Sequence, residues 1–167
     1  YGSKETFLEG FTSFTKLIST DGFLVKHLNV QVNHPNTTTY GLEPLADYYG
    51  FNLRFKDAKF LFDLTMKDQT WTNIELGIPG IHNAENAIAC IAMCRQIGLS
   101  EKEIRFGLTT FKGIKRRFEY HIQTSSLVYI DDYAHHPTEI NALINSIKLL
   151  YPQQKITGVF QPHLFSR

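Results

Sequence analysis

Residues 127–150 leave few choices of fold. Leu127-Val128-Tyr129-Ile130 is an apolar run short enough for a buried strand, and Ile140 to Leu150 repeats apolar residues at helical spacing. Between them stands Asp131-Asp132-Tyr133-Ala134-His135-His136-Pro137-Thr138-Glu139. A strand feeding straight into a helix belongs to an α/β architecture, and in open sheets of that class such turns lie at the strands' carboxyl ends, where ligands bind. Pro137 suits the first helical turn, where its missing N–H has no partner to lose. Glu139 puts negative charge near the helix's positive end. The plainer alternative is a turn in which Asp131 or Asp132 only caps locally. Tyr133 and the His135-His136 pair favour a functional site, because catalysis needs such a density of titratable groups.

Upstream, Phe7, Leu8, Phe11, Phe14, Leu17 and Ile18 give a helix over Glu5 to Ile18. A strand starts at Phe23-Leu24-Val25 after the Asp21-Gly22 turn, and Asn33-His34-Pro35-Asn36 marks a loop. Phe51 to Phe55 and Lys59 to Thr65 alternate as strands, the second forming a hairpin with Trp71 to Leu76. After the break Gly77-Ile78-Pro79-Gly80, a helix with a wide apolar face runs to Ile97 and ends at Gly98. Ser100 and Glu103 form a capping box that opens another helix through Leu108. The basic, glycine-containing link from Phe111 to Arg117 marks a domain boundary. Beyond it the pattern predicts strands over Phe118 to Gln123 and Leu127 to Asp131, a helix over Pro137 to Leu150 and a strand over Ile156 to Phe160. The last three elements predict a right-handed βαβ unit with parallel strands.

Composition narrows the classes. A net charge of +1 over 167 residues supplies no basic stripe for nucleic acid. No apolar run approaches the ~20 residues of a membrane span. The start at Tyr1 without Met and the end just after a strand are expected of a piece of a longer protein. Cys90 and Cys94, four apart on a helix, have no Cys or His partner at metal-site spacing and read as two small buried hydrophobes in a reducing compartment. There is no Gly-x-x-x-x-Gly-Lys-Ser/Thr, no Gly-x-Gly-x-x-Gly and no Gly-x-Ser-x-Gly, so a phosphate cradle, if ATP is used, lies elsewhere. Asn36-Thr37-Thr38 matches a glycosylation acceptor, which carries no meaning without a secretory route.

Three further groups stand out. Asn83 and Asn86 share one face at the start of the Cys-bearing helix, and an amide's donor and acceptor match a purine edge; the alternative is that Asn83 serves only as the N-cap. Arg116-Arg117 offers bidentate geometry for a phosphate, against the simpler reading of a solvated linker. Gln161-Pro162-His163, with Arg167 four residues on, brings an imidazole and a cation to the same rim, where a carboxylate-bearing substrate would use them, unless this is a frayed terminus.

In order and spacing, Gly80-Ile81-His82-Asn83-Ala84-Glu85-Asn86-Ala87, Phe111-Lys112-Gly113 with Arg116-Arg117-Phe118, the Asp131–Glu139 block and Phe160-Gln161-Pro162-His163 resemble the Mur ligase family, in particular its alanine-adding branch. The resemblance covers most of the chain and is densest from Gly77 onward. It implies an α/β fold in which residues 1–115 are the end of a central ATPase domain, a mixed sheet with helices, and residues 116–167 begin a Rossmann-like C-terminal domain hinged near Gly113. It also implies a cytoplasmic, ADP-forming, ATP-dependent ligase of peptidoglycan synthesis that joins L-alanine to UDP-N-acetylmuramate. The expected cofactors are ATP and magnesium, with the phosphate loop and the metal ligands upstream, so the piece alone is expected to be inactive.

By the same resemblance Asn83 and Asn86 contact adenine, Arg117 the ATP phosphates and Asp132 the ribose. Tyr133 and His135 face the muramoyl-alanine end, and His163 and Arg167 the incoming amino acid. Arg117 and His135 are the candidate catalytic groups; His82 and Arg116 read as supports. Leu164 stands where the family more often has Arg, which leaves Arg167 as the carboxylate clamp. A non-catalytic nucleotide-binding module and the related murein-peptide ligase are the alternatives.

Overall fold

The computed structural model describes residues 4–57, 59–67 and 69–161. Helix α1 (Lys4–Thr15) leads into a five-stranded sheet of β1 (Leu24–His27), β2 (Thr37–Gly41), β3 (Tyr48–Lys56), β4 (Lys59–Met66) and β5 (Gln69–Leu76). The strands lie in sequence order: β1, β2 and β3 run parallel, then β3, β4 and β5 form an antiparallel meander. Helices α2 (Ile81–Gln96) and α3 (Glu101–Thr110) follow. A two-stranded antiparallel ladder, β6 (Glu119–Gln123) with β7 (Val128–Asp131), then leads to α4 (Pro137–Leu150).

The meander makes the core. Phe60, Phe62, Leu64 and Met66 recur at every second position of β4, so one face of that strand is apolar and buried. They meet Trp71, Ile74 and Leu76 of β5 and the Ala84, Ala87, Ile88 and Ile91 stripe of α2. Phe118 and Leu150, from beyond the basic link, belong to the same cluster. The three-residue step from Trp71 to Ile74 is a bulge: Leu64 pairs with Trp71 but Phe62 with Ile74. A second bulge lies between Phe51 and Arg54 of β3. Asn52 (φ 52) and Asn73 (φ 53) supply the left-handed residues of the two bulges. Asp63 stands between them, 6% exposed, and accepts from Asn52 Nδ2 at 2.6 Å, the Asn73 N–H at 2.7 Å and Arg54 at 3.0 Å.

Two glycines shape the approach to α2. Gly77 donates its N–H to Leu108 O at 2.9 Å, and a Cβ there would collide with the Phe111 carbonyl. Gly80 is the α2 N-cap at φ 124, a conformation that glycine alone adopts at little cost. The Ser100–Glu103 capping box on α3 forms as expected.

Two expectations change, and one strand is added. Residues 156–160 form no strand; they run exposed, with Val159 at 98%, so the parallel βαβ unit is absent and the ladder beyond the link is antiparallel. Among the described residues the 156–160 run has no ladder partner, and its exposed side chains bury too little apolar surface to offset the ordering of that segment. Thr37 to Gly41, a segment with no predicted element, is a strand; its β-branched Thr37-Thr38-Thr39 run suits one. Cys90 is exposed and only Cys94 is partly covered, because position 90 falls off the Ala87/Ile91 stripe of α2.

Candidate active site

The start of α2, the basic link, and the turn from β7 into α4 come together. Gly80, His82 and Asn83 from the first, Arg117 and Phe118 from the second, and Asp132, Glu139 and Ser146 from the third line one small cavity of about 40 Å³. It adjoins a cleft of about 420 Å³ that shares His82, Asn83 and Arg117 and adds Asn86. The cleft wall is apolar, with Ile78, Ala87, Leu108, Phe111 and Ile114. A volume of this size lies in the range of small-molecule sites, and an apolar wall with a few convergent polar groups is their usual composition.

Local bonding fixes each side chain. Asn83 is not the N-cap: Gly80 holds that place, and Asn83 Nδ2 donates to Pro79 O at 2.8 Å, which orients the amide from within the helix. The Ile81 N–H, which a helix start leaves without an intrahelical partner, donates to Ser146 Oγ of α4 at 3.1 Å. The positive end of α2 and the Arg117 guanidinium thus border the same cavity as the carboxylates of Asp132 and Glu139.

Asp132 is bonded through both oxygens. Oδ2 accepts the Phe118 N–H and Oδ1 the Ala134 N–H, each at 2.8 Å. The Tyr133 N–H donates to Arg116 O at 2.8 Å, so the turn and the link are laced backbone to backbone. Arg116 lies with its guanidinium carbon 4.7 Å from the Tyr133 ring centre and its Nε 3.9 Å from Asp131. It is thereby engaged away from the cavities, whereas Arg117 is exposed and lines both.

The helix start beyond the turn is capped by His136, whose Nδ1 accepts the Thr138 N–H at 3.3 Å. Glu139 completes a capping box by accepting the N–H groups of His135 and His136, each at 3.1 Å. Those two donors hold the Glu139 carboxyl below its ordinary range, with the charges of His135 and Arg117 acting in the same direction. His135 Nδ1 lies 3.0 Å from Tyr133 O and 3.4 Å from Glu139.

Asn83, Asn86, Arg117 and Asp132 therefore gather around two adjoining hollows, while Tyr133 and His135 are exposed and line neither. His163 and Arg167 lie outside the described residues, as does Leu164. Sequence reasoning missed Ser146 and the apolar wall of Ile78, Phe111 and Ile114. Ser146 carries no local signal, being one serine on an amphipathic helix; the wall residues were visible only as scattered apolar positions in a link. It also missed Cys90, an exposed residue that lines the larger cleft, where partial desolvation pushes its thiol up.

Residues 3–94 match the Mur ligase middle domain and residues 116–164 the Mur ligase glutamate ligase domain. The UDP-N-acetylmuramate–L-alanine ligase of Parabacteroides distasonis is 40% identical over 172 residues, taking in 100% of this chain and 37% of its own length. That of Christiangramia forsetii is 40% identical over 167 residues, taking in 100% of this chain and 36% of its own. The chain thus spans little more than a third of the relatives it matches. Among solved structures, the UDP-N-acetylmuramate-alanine ligase of Thermotoga maritima superposes with a TM-score of 0.81 at 23% identity, over 96% of this chain and 37% of that one. The MurF ligase of the same organism, in complex with ADP, gives 0.76 at 18% identity, over 89% and 35%. With a family match over more than half its length and the expected α/β fold, the chain belongs to the Mur ligase family.

Proposed function

We propose that this chain is the nucleotide-facing part of an ATP-dependent ligase that joins L-alanine to UDP-N-acetylmuramate in the cytoplasm during peptidoglycan synthesis. The observation that carries the proposal is the gathering of Asn83, Asn86, Arg117 and Asp132, from three separate segments, around one apolar-walled cleft and its polar annex. The names of the relatives at 40% identity support the choice of substrates. Residues 1–115 and 116–167 act as two units, the end of a central ATPase domain and the start of a C-terminal one, with the nucleotide between them.

In this reading the muramoyl carboxylate attacks the γ-phosphorus of ATP, releasing ADP and forming an acyl phosphate. The L-alanine amine then attacks the acyl carbon, loses its proton, and expels phosphate from a tetrahedral intermediate. The purine lies along the apolar wall with the two asparagine amides at its edge. Arg117 neutralises charge that develops on the phosphoryl oxygens, and Asp132 reaches the ribose through lone pairs its two backbone bonds leave over. Tyr133, His135, His163 and Arg167 serve the muramoyl and amino-acid side. Magnesium would supply further positive charge to the phosphate oxygens, and the residues that would hold it are assigned outside this chain. The chain by itself is accordingly expected to bind adenine nucleotide without turning it over.

The test supplies the full-length enzyme with ATP and magnesium, and varies the acceptor and the amine. Amide product and phosphate in equal amounts, only with UDP-N-acetylmuramate and L-alanine together, is the expected result. Use of a preformed murein peptide in place of L-alanine assigns the recycling activity instead. Nucleotide binding with no product from any pair reduces the chain to a binding module.

A further inference from the structure

We propose that the β6–β7 hairpin binds one divalent transition-metal ion through Glu119, His121 and Asp131. One ligand atom from each of these residues lies within 4.8 Å of the other two. His121 Nε2 is 3.8 Å from Glu119 Oε2 and 3.8 Å from Asp131 Oδ2, and no hydrogen bond joins the three side chains. A first-row ion holds nitrogen and oxygen donors at about 2.0–2.2 Å, which sets neighbouring donors about 3.0–3.4 Å apart. Small side-chain rotations bridge that difference.

The backbone, not chance surface crowding, makes the convergence. Glu119 and Asp131 are direct cross-strand partners, and His121 lies two residues along β6 at a bulge between Tyr120 and Ile122. Two carboxylates facing each other across a strand pair repel, so a cation between them relieves an existing cost. Arg116 does so only from the rim: its Nε stops 3.9 Å from Asp131 while its guanidinium covers Tyr133. Other contacts hold the ligands in place. Glu119 Oε2 accepts the Arg116 N–H at 2.8 Å, and the His121 ring stacks on Tyr129 with centres 5.2 Å apart. All three side chains are partly exposed, leaving coordination positions for water.

One imidazole and two carboxylates fit zinc, cobalt or manganese, and the imidazole disfavours magnesium. The ion would pin β6 to β7 at the end of the strand that carries Asp131, next to Asp132 in the following turn, separately from any metal used with ATP.

The test titrates zinc into the full-length enzyme with magnesium in excess, in a Cys90→Ser/Cys94→Ser background that removes competing thiols. Calorimetry follows binding and thermal unfolding follows stabilisation. One equivalent that raises the unfolding temperature is expected, with at least a tenfold loss of affinity and no stabilisation in His121→Ala. Glu119→Gln, which keeps shape and removes charge, should show the same loss. No zinc uptake, displacement of zinc by magnesium, or undiminished binding in both variants overturns the proposal.

Discussion

The Asp132 carboxylate accepts the buried Phe118 N–H at 2.8 Å across fourteen residues of chain, and so ties the turn before α4 to the link that bears Arg117. Phe118 has φ 51, a conformation that a bulky residue adopts only when its surroundings hold it. Its ring is part of the shared core. Asp132 thus does two things: it fixes where Arg117 enters the cleft and it presents a carboxylate to the annex.

Replacing Asp132 separates those roles. Asp132→Ala removes acceptors for two backbone N–H groups, and hydrogen bonds to a charged group contribute about 1.5–3 kcal/mol each. Asp132→Asn keeps one acceptor oxygen and should lose roughly half as much stability. Both variants should raise the ATP concentration needed for half-maximal ligation in the full-length enzyme. Denaturant unfolding beside ATP titrations checks this; a stability loss with unchanged ATP dependence would restrict Asp132 to the structural role.

Arg117 makes the complementary case. It is exposed, so Arg117→Ala should change stability by less than about 0.5 kcal/mol. Losing one charge-assisted phosphate contact of about 1.5–3 kcal/mol should weaken nucleotide use by about ten- to a hundredfold. Arg117→Lys should recover only part, because an ammonium lacks the planar fork. Steady-state kinetics over ATP concentration reads the effect.

Legibility in the sequence followed the range of the interactions. The hairpin strands, the α2 and α3 helices, the capping box and the Pro137 helix start were visible because hydrophobic period and cap chemistry are local. Asn83 stood out at a helix start and Arg117 and Asp132 in connecting segments, and their gathering at one cavity needed the fold. The 156–160 segment misled because an apolar run reports strand propensity and not whether a partner edge is there to pair with. Cys90 misled in the same manner, since spacing gave a helix but not which face it covers. Ser146 was invisible because its partner, the Ile81 N–H, lies sixty-five residues away.

Asp63 carries a pH dependence. Burial raises its pKa, but the Asn73 N–H, Asn52 and Arg54 outweigh that and hold the carboxyl below its ordinary value. A carboxyl depressed in the folded state contributes stability that is present above its unfolded pKa of about 3.9 and is lost as pH falls through the folded value. Asp63→Ala should therefore destabilise by about 3 kcal/mol at neutral pH, since it removes the ion-pair partner of Arg54 and leaves the Asn73 N–H without its acceptor. The difference from the unchanged protein should shrink below about pH 4. Urea unfolding from pH 7 to pH 3 follows both effects.

Ser146 links the two parts of the site. It is 2% exposed, accepts the Ile81 N–H at 3.1 Å and donates to Ala142 O at 2.8 Å, so α4 completes the first turn of α2. Ser146→Ala leaves that part-buried N–H without its acceptor, at about 1–3 kcal/mol. The loss should appear where α2 meets α4. Amide exchange at Ile81 should accelerate by about ten- to a hundredfold, while exchange in β4 stays close to that of the unchanged protein. Ser146→Val, which fills the space without an acceptor, should be at least as damaging, because it adds a methyl at a position that is only 2% exposed. If Ile81 exchanged as slowly in both variants as in the unchanged protein, α4 would be held on α2 by the apolar contacts of Leu150 and its neighbours and not by this hydrogen bond.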